Sequence, residues 1–391
     1  MITGNYEVIK SVNISLVLDA LRQHRELSRT DIARMTGLTT GTITNIVTKL
    51  LEHGFVKEKG SVRSSSGGRK PTLLELHAEG GYAVGIEIRT TAIKASLVNL
   101  LAEPLVTLEK PGMFRYAQGL EIITEMVEKF QQSLGRAHEK MLGIGVSVPG
   151  WVDFTMGKIH NLPNLPGWEN VYLKNDLEMI LKPPVFVDND ANLSAQGELW
   201  FGQGKGFGQL IYILVNDGVG AGFVFNQQIY RGKGYSVGEL GHVYFGGSEE
   251  ICRCGKTGCL ETVASGKAME TKYRRLTGET ITVEEIKQRL LAGEEQARQV
   301  VLQAADALGR GIGALINLFG PDSIILGGRV FRHNQEFIDA VKEAALKYAL
   351  PVMSQGVSIG VSKLKEDSSI FGAVALVFQS VLQPYSLYAL K

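Results

Sequence analysis

The chain has 391 residues, of which 44% are hydrophobic and 21% charged, with 41 Lys plus Arg against 40 Asp plus Glu. This composition excludes a largely disordered, collagen-like or membrane-embedded chain, and the length supports two or three domains without a disulfide scaffold. The charge is unevenly placed: residues 1–76 carry 11 basic and 7 acidic side chains, net +4, which leaves 30 minus 33, or −3, for the remainder.

A basic N-terminal segment on a mildly acidic body is the asymmetry of a nucleic-acid-binding module joined to something else. The opening MITGNYEVIK has no basic-then-apolar signal pattern, and no run of 18 apolar residues occurs. A cytoplasmic protein with no membrane partner is expected.

In residues 11–24, Val12, Leu16, Val17, Ala20 and Leu21 fit one face of a helix. Ser28 then reads as the N-cap of a short second helix with Asp31 at N3, as in a capping box, and Gly37 ends it. Thr39 caps a third helix running to about His53, where Gly54 stops it. Three short helices with a Gly-containing turn between the second and third form a helix-turn-helix. Phe55–Glu58 and Thr72–Leu76 read as strands flanking Lys59–Pro71, the wing of a winged variant.

At 100° per residue, Ile43, Val47 and Leu50 share a core-facing side of the third helix. Gly41, Asn45 and Thr48 then point outward, with Thr44 on the flank and Thr40 in the first turn. Small polar groups at the start of an exposed helix face suit base-edge contact in a major groove, and Asn45 is the best candidate reader. Thr39 and Thr42 either bind phosphate or cap the helix. The Ser/Gly-rich stretch ending Gly68-Arg69-Lys70-Pro71 is either a flexible linker or an arm laying Arg69 and Lys70 along a minor groove.

From residue 80 apolar strands alternate with helices. Tyr82–Ile88 and Ala92–Val98 flank a turn at Arg89–Thr91, followed by a helix over Leu120–Leu134 and a buried strand over Leu142–Val148. The pattern recurs as strands Gln209–Val215 and Gly222–Phe225 around a turn at Asn216–Ala221, a helix over about Ala297–Phe319, and a strand over Ser323–Leu326. The repetition predicts a duplicated α/β body of two lobes with a cleft. The domains are expected at 1–60 (helix-turn-helix), 61–79 (wing and basic linker) and 80–391 (body).

All three cysteines, Cys252, Cys254 and Cys259, fall within eight positions, preceded by His242. Such crowding in a reducing compartment points to metal ligation, and three thiolates with one imidazole make a closed tetrahedral set whose usual occupant is Zn²⁺. With no open position for water, the ion's role is structural.

The string Glu239-Leu240-Gly241-His242, then Cys-x-Cys-Gly-x-x-Gly-Cys-x-Glu ending at Glu261, resembles the signature of the ROK family of repressors, sugar kinases and related open reading frames. The likeness continues through Pro149-Gly150, Asn164-Leu165-Pro166-Gly167-Trp168, Asn189-Asp190-Ala191-Asn192, Gly327-Gly328 and Gly372-Ala373. The N-terminal part, with Ser28-Arg29-Thr30-Asp31-Ile32-Ala33, is similar to ROK repressors of the xylose-repressor type.

The resemblance implies an actin-like, ribonuclease H-like fold with a sugar in the inter-lobe cleft. It places Asn189, Asp190, Glu239, His242 and Glu261 on sugar hydroxyls, with Asp190 the general base in the kinases. Carboxylates and an amide match vicinal hydroxyls, and His242 can use one ring nitrogen for zinc and the other for the ligand.

The first phosphate loop departs from the kinases' Asp-x-Gly-x-Thr: here it is Glu87-Ile88-Arg89-Thr90-Thr91, with Arg89 in place of the glycine that lets backbone N–H groups approach phosphate. The second loop, Asn216-Asp217-Gly218-Val219-Gly220-Ala221-Gly222, keeps its glycines. The reading is therefore a non-enzymatic transcriptional regulator, a repressor of carbohydrate (xylose among the candidates) utilisation genes. It would bind operator DNA as a homodimer or dimer of dimers and respond to a sugar or sugar phosphate, with Asp190 a vestigial base. The alternative is an ATP-dependent sugar kinase with an accessory DNA-binding domain.

Overall fold

In the computed structural model, which describes residues 6–61, 72–162, 165–246 and 249–381, the N-terminal segment forms α1 (Tyr6–His24), β1 (Glu26–Ser28), α2 (Arg29–Thr36), α3 (Thr40–Glu52), β2 (Val56–Ser61) and β3 (Thr72–Leu76). Local capping sets the ends of α2 and α3. Asp31 N donates to Ser28 Oγ at 3.1 Å and Ser28 N to Asp31 Oδ2 at 3.3 Å, the reciprocal capping box. Gly37 closes α2 at φ 70°, and Thr42 N donates to Thr39 Oγ1 at 3.2 Å to open α3.

Helix α3 buries Ile43, Ile46, Val47 and Leu50. Of the expected face of α1, Val17, Ala20 and Leu21 are buried but Leu16 is 39% exposed; the buried stripe instead runs through Ile14, Val17, Leu18 and Leu21. Those four fall at i, i+3, i+4 and i+7. The sequence offers two adjacent apolar stripes, and packing against α2 and β3 selects this one. β1, which the sequence did not suggest, completes a three-stranded antiparallel sheet in the order β1-β3-β2, with Leu27 opposite Leu74 and Val56 opposite Leu76. Arg69 and Lys70 lie outside the described residues.

The chain divides into two compact units, one made of the residues up to Val146 with Tyr172–Val187 and the chain from Ala373, the other of Ser147–Val171 and Asp188–Gly372. After the N-terminal module come β4 (Tyr82–Ile88), β5 (Ala92–Asn99), β6 (Pro104–Pro111), α4 (Tyr116–Leu134) and β7 (Met141–Val148). A short hairpin, β8 (Trp151–Asp153) and β9 (Lys158–Asn161), then α5 (Leu173–Ile180) and β10 (Val185–Asn189), follow. The first sheet has the order β10-β7-β4-β5-β6. Helix α4 begins four residues before its expected start and buries Ile123, Met126, Val127 and Phe130.

The second unit holds α6 (Asp190–Trp200), β11 (Gln209–Val215), β12 (Val219–Phe225), β13 (Gln228–Ile229), α7 (Glu261–Ala264), α8 (Gly266–Thr277), α9 (Val283–Leu291) and α10 (Glu295–Phe319). It continues with β14 (Ser323–Gly327), α11 (Gln335–Tyr348), α12 (Pro351–Ser354) and β15 (Ser358–Val361), and α13 (Ser368–Val381) begins in it. Its sheet order is β13-β12-β11-β14-β15, with β11 antiparallel to β12 and parallel to β14. The same layout thus appears twice, as the repeated pattern predicts.

β12 starts three residues earlier than expected, so the turn shrinks to Asn216–Gly218. Pairing of Val215 with Val219 extends the ladder across glycines that looked like loop. Alternation along β11 builds two cores. Ile211, Ile213 and Val215 pack with the α8–α11 side, while Leu210, Tyr212 and Leu214 pack with Ala191, Ala195 and Leu199 of α6. Close packing of α6 on the start of α13 requires Gly372, where a Cβ would stand 1.7 Å from the Leu193 carbonyl oxygen.

Candidate ligand, metal and DNA sites

Strand β10 ends by delivering Asn189 to the N-cap of α6. Asn189 Oδ1 accepts from Ala191 N (2.9 Å) and Asn192 N (3.2 Å), and its Nδ2 donates to Gly150 O at 3.0 Å. One of the two amide hydrogens is thereby committed to holding the Pro149-Gly150 turn. Asp190 is the first residue of α6, half-buried, with Oδ1 accepting from Ala191 N at 2.9 Å. A carboxylate there is favoured by the positive end of the helix dipole.

Glu239 immediately precedes a single 3₁₀ turn, Leu240–His242. The His242 ring faces two ways: Nε2 lies 3.8 Å from Glu239 Oε2, and Nδ1 lies 3.4 Å from Cys252 Sγ. Glu261, at the start of α7, accepts from Val219 N at 3.2 Å. Gly218 makes room for it, since a Cβ there would stand 2.5 Å from Glu261 Oε2.

β12 is therefore a shared wall. Gly222 lies against the Ala191 backbone on the α6 side, and Val219 binds Glu261 on the other. Desolvation raises the Glu239 carboxyl above its ordinary range; His242 opposes this and the Glu261 charge adds to it.

The ligand atoms of His242, Cys252, Cys254 and Cys259 all lie within 4.8 Å of one another. Cys254 and Cys259 sulfurs are 3.6 Å apart. Sulfurs on a tetrahedral zinc at about 2.3 Å would be roughly 3.8 Å apart, so the donor set and its spacing suit that ion after a small contraction. Without a cation, burial raises the Cys252 thiol and pushes Cys259 up to about 12, while the Lys256 backbone N–H lowers exposed Cys254. A divalent ion reverses that preference by ligating thiolates. Among its described residues the loop has little regular structure beyond the bridges Tyr244↔Cys259 and Ile251↔Thr257. A four-ligand staple is what such a segment needs.

The two turns compared above with kinase phosphate loops each carry an ion pair of the chain's own side chains. In the first, Arg89 closes the β4–β5 turn through its backbone N–H to Ala92 O at 2.8 Å, and its guanidinium pairs with Glu87. In the second, Asp217 pairs with Arg329, whose backbone N–H also donates to Asn216 Oδ1 at 2.8 Å. Arg329 further reaches Glu284 at 3.2 Å. Sequence reasoning missed Arg329; its position directly after Gly327-Gly328 was the available signal.

On the DNA-reading helix, Thr39, Thr40, Gly41, Thr44, Asn45 and Thr48 are all exposed. Thr44 Oγ1 donates to Thr40 O (2.8 Å) and Thr48 Oγ1 to Thr44 O (2.9 Å), so these hydroxyls keep only acceptor capacity. Thr39 Oγ1, within 2.9 Å of Thr42 Oγ1, serves as a cap, one of the two roles open to it. Arg34, on α2 and ion-paired with Asp31 at 2.9 Å, is a further exposed cation beside this face in sequence, with no motif of its own to mark it.

Comparison with known proteins places this geometry. The ROK family model matches residues 83–380, and a model of the IclR helix-turn-helix domain matches residues 14–60. The chain belongs to the ROK family, with an N-terminal helix-turn-helix ahead of an actin-like, sugar-kinase-like body. It is 33% identical to a putative xylose repressor of Caldicellulosiruptor sp. (strain Rt8B.4), over 97% of this chain and 98% of the relative.

A crystal structure of a ROK family transcriptional regulator, a homologue of the E. coli MLC protein, superposes with a TM-score of 0.83 at 25% identity, covering 98% of each chain. The ROK hexokinase of Thermus thermophilus superposes with a TM-score of 0.64 at 29% identity, covering 76% of this chain and 97% of the hexokinase. Among the described residues no helix is long and apolar enough to cross a membrane.

Proposed function

We propose that the chain is a cytoplasmic DNA-binding transcriptional repressor whose operator affinity is set by a sugar or sugar phosphate held by Asn189, Asp190, Glu239, His242 and Glu261. It does not transfer phosphate. The observation that carries this reading is the exposed polar face of α3, on a module that the hexokinase match leaves uncovered and that the regulator match includes. Thr39, Thr40, Gly41, Thr44 and Asn45 present that face to operator DNA, with Arg69 and Lys70 nearby in sequence as an arm.

A helix-turn-helix reads two half-sites through a twofold dimer, so the working species is a homodimer or a dimer of dimers. Zn²⁺ on His242, Cys252, Cys254 and Cys259 is structural: it ties the segment between Glu239 and Glu261, so metal and effector sites share one support. The xylose-repressor relative makes pentoses the first effectors to examine.

The kinase alternative retains one supporting observation, the glycines of the second loop. Against it stand the Glu87–Arg89 and Asp217–Arg329 pairs, which occupy groups that would meet ATP phosphates and magnesium. The test combines a gel shift on the upstream intergenic DNA with a coupled ADP-release assay over xylose, glucose, N-acetylglucosamine and their phosphates. A sugar-dependent change in operator affinity without ADP release is expected. ADP release with any of these sugars would make the protein a kinase. Asp190→Ala should keep operator binding and lose the sugar response, while a variant that still responds fully would move the effector elsewhere.

A further inference from the structure

The segment from Tyr230 to Glu239 carries one of the proposed effector ligands, yet it contains no strand or α-helix, only a 3₁₀ turn at Lys233–Tyr235. Its backbone is unfavourable for an isolated chain: φ is 61° at Gly232, 72° at Gly234, 58° at Tyr235 and 104° at Gly238. Something other than its own hydrogen-bond ladder must hold it.

Two backbone bonds to β12, Tyr230 N to Phe223 O and Ala221 N to Gly238 O at 2.8 Å each, hold its ends, and three side-chain ties hold the stretch between. Arg231 donates from Nε (2.9 Å) and Nη2 (2.7 Å) to Asp188 Oδ2. Trp151 Nε1 donates to Gly234 O at 3.0 Å, and Thr155 Oγ1 shares a hydrogen bond with the Tyr235 hydroxyl. The Arg231 guanidinium also lies 3.7 Å from the centroid of the Phe154 ring, in the turn between β8 and β9.

The Asp188 carboxylate is buried, and its other oxygen accepts from Asn189 N (2.8 Å) and Asn192 Nδ2 (3.2 Å). A buried carboxylate requires a cationic partner and full hydrogen bonding; here the same group that satisfies it also anchors the strap. The ion pair therefore joins the end of β10, which delivers Asn189 and Asp190, to the strap that delivers Glu239.

We infer that Arg231 is a positioning residue for the effector site: clamped between Asp188 and the Phe154 ring, it fixes Glu239 relative to Asn189 and Asp190 without touching the sugar. This rests on the effector site proposed above. A guanidinium suits the role better than an ammonium, because two N–H groups in a rigid fork meet one carboxylate while the planar face covers an aromatic ring.

The test uses the full-length zinc-loaded protein. Arg231→Lys keeps the charge and loses the fork and the stacking. It should weaken binding of whichever of xylose, glucose, N-acetylglucosamine or their phosphates the wild type binds by about tenfold. Operator affinity in the absence of sugar and zinc content should stay at wild-type values, and amides of residues 230–239 should exchange faster with deuterium.

Unchanged sugar affinity or unchanged exchange in the strap overturns the inference. So does a parallel loss of zinc and operator binding, which marks a general structural role. If Arg231→Lys does not fold, Trp151→Phe removes the indole N–H tie to Gly234 while leaving an aromatic ring against His160. It should give a smaller loss of affinity with the same acceleration of exchange, and a Trp151→Phe protein identical to wild type in both overturns the clamp. If the wild type binds none of the sugars, the effector reading fails, while exchange in residues 230–239 of Arg231→Lys still decides whether Arg231 holds the strap.

Discussion

The DNA-reading module and the metal loop are stabilised in opposite ways. In the first, both ends of α2 and the start of α3 are set by residues three or four positions apart: Ser28 with Asp31, Gly37 with Ala33, Thr39 with Thr42. Its hydrophobic faces follow the helical period, and its wing strands pair antiparallel from Val56↔Leu76 to Glu58↔Leu74, with a register shift before Ser61↔Thr72. In the second, the described residues from Gly241 to Glu261 form two isolated bridges and short turns, and four side chains able to ligate a metal, from positions up to 17 residues apart, converge on one point. Many small local terms sustain one region, whereas the other brings together a candidate four-ligand contact. Damage should therefore be graded in the DNA module and all-or-none in the loop.

Loss of a metal ligand should have the largest effect. Cys254→Ser, or chelation of the wild type, should abolish the sugar response, because a structural zinc contributes on the order of 10 kcal/mol to the fold it closes. Elemental analysis should find about one zinc per wild-type chain and clearly less in the variant; a metal-poor wild type with an intact sugar response would break the comparison. Operator binding should survive in the variant, since no capping interaction of α2 or α3 involves that loop.

Next in size is Asn45→Ala, which should cost about 1–3 kcal/mol on the correct operator and relax preference at one base position. Unchanged site preference would mean that another exposed group of α3 reads the bases.

Removing a cap should be milder. Ser28→Ala should lower the stability of the N-terminal module by about 1 kcal/mol in a denaturant titration. The Ser28 hydroxyl hydrogen bond holds the Asp31 carboxyl below its ordinary range. A group whose folded pKa is depressed stabilises above its unfolded value and loses that contribution as pH falls through the folded one. The gap between wild type and Ser28→Ala should thus be full at neutral pH and narrow below about pH 4. The smallest effect expected is that of Arg69→Ala, a sequence-independent weakening with a salt slope reduced by about one unit.

Much of both regions was legible in the sequence because their signals are short-range. The capping box, the left-handed Gly37 and the outward face of α3 each depend on residues a turn apart, and C-x-C-x₄-C with an upstream His is distinctive enough to specify a ligand set. What could not be read is longer in range. Nothing in SVNISLVLDALRQH distinguishes Leu16 from Leu18 until α2 and β3 cover one side of the helix. The glycines of Asn216–Gly222 suggest a loop, yet Val219–Phe225 is a strand because β11 offers it a full ladder.

The charges show the same division most clearly. Amino-acid order alone determined where α2 and α3 begin and end, which four residues can ligate zinc, and that Arg89 stands in the turn after β4. Only the tertiary structure decided that Asp217 meets Arg329 across 112 positions and that Asp188 meets Arg231 across 43. Sequence carries no record of which distant cation will satisfy a buried or half-buried carboxylate. That choice is made when the segments carrying each charge pack within the second unit, and the cost of leaving a charge unpaired selects the partner within reach.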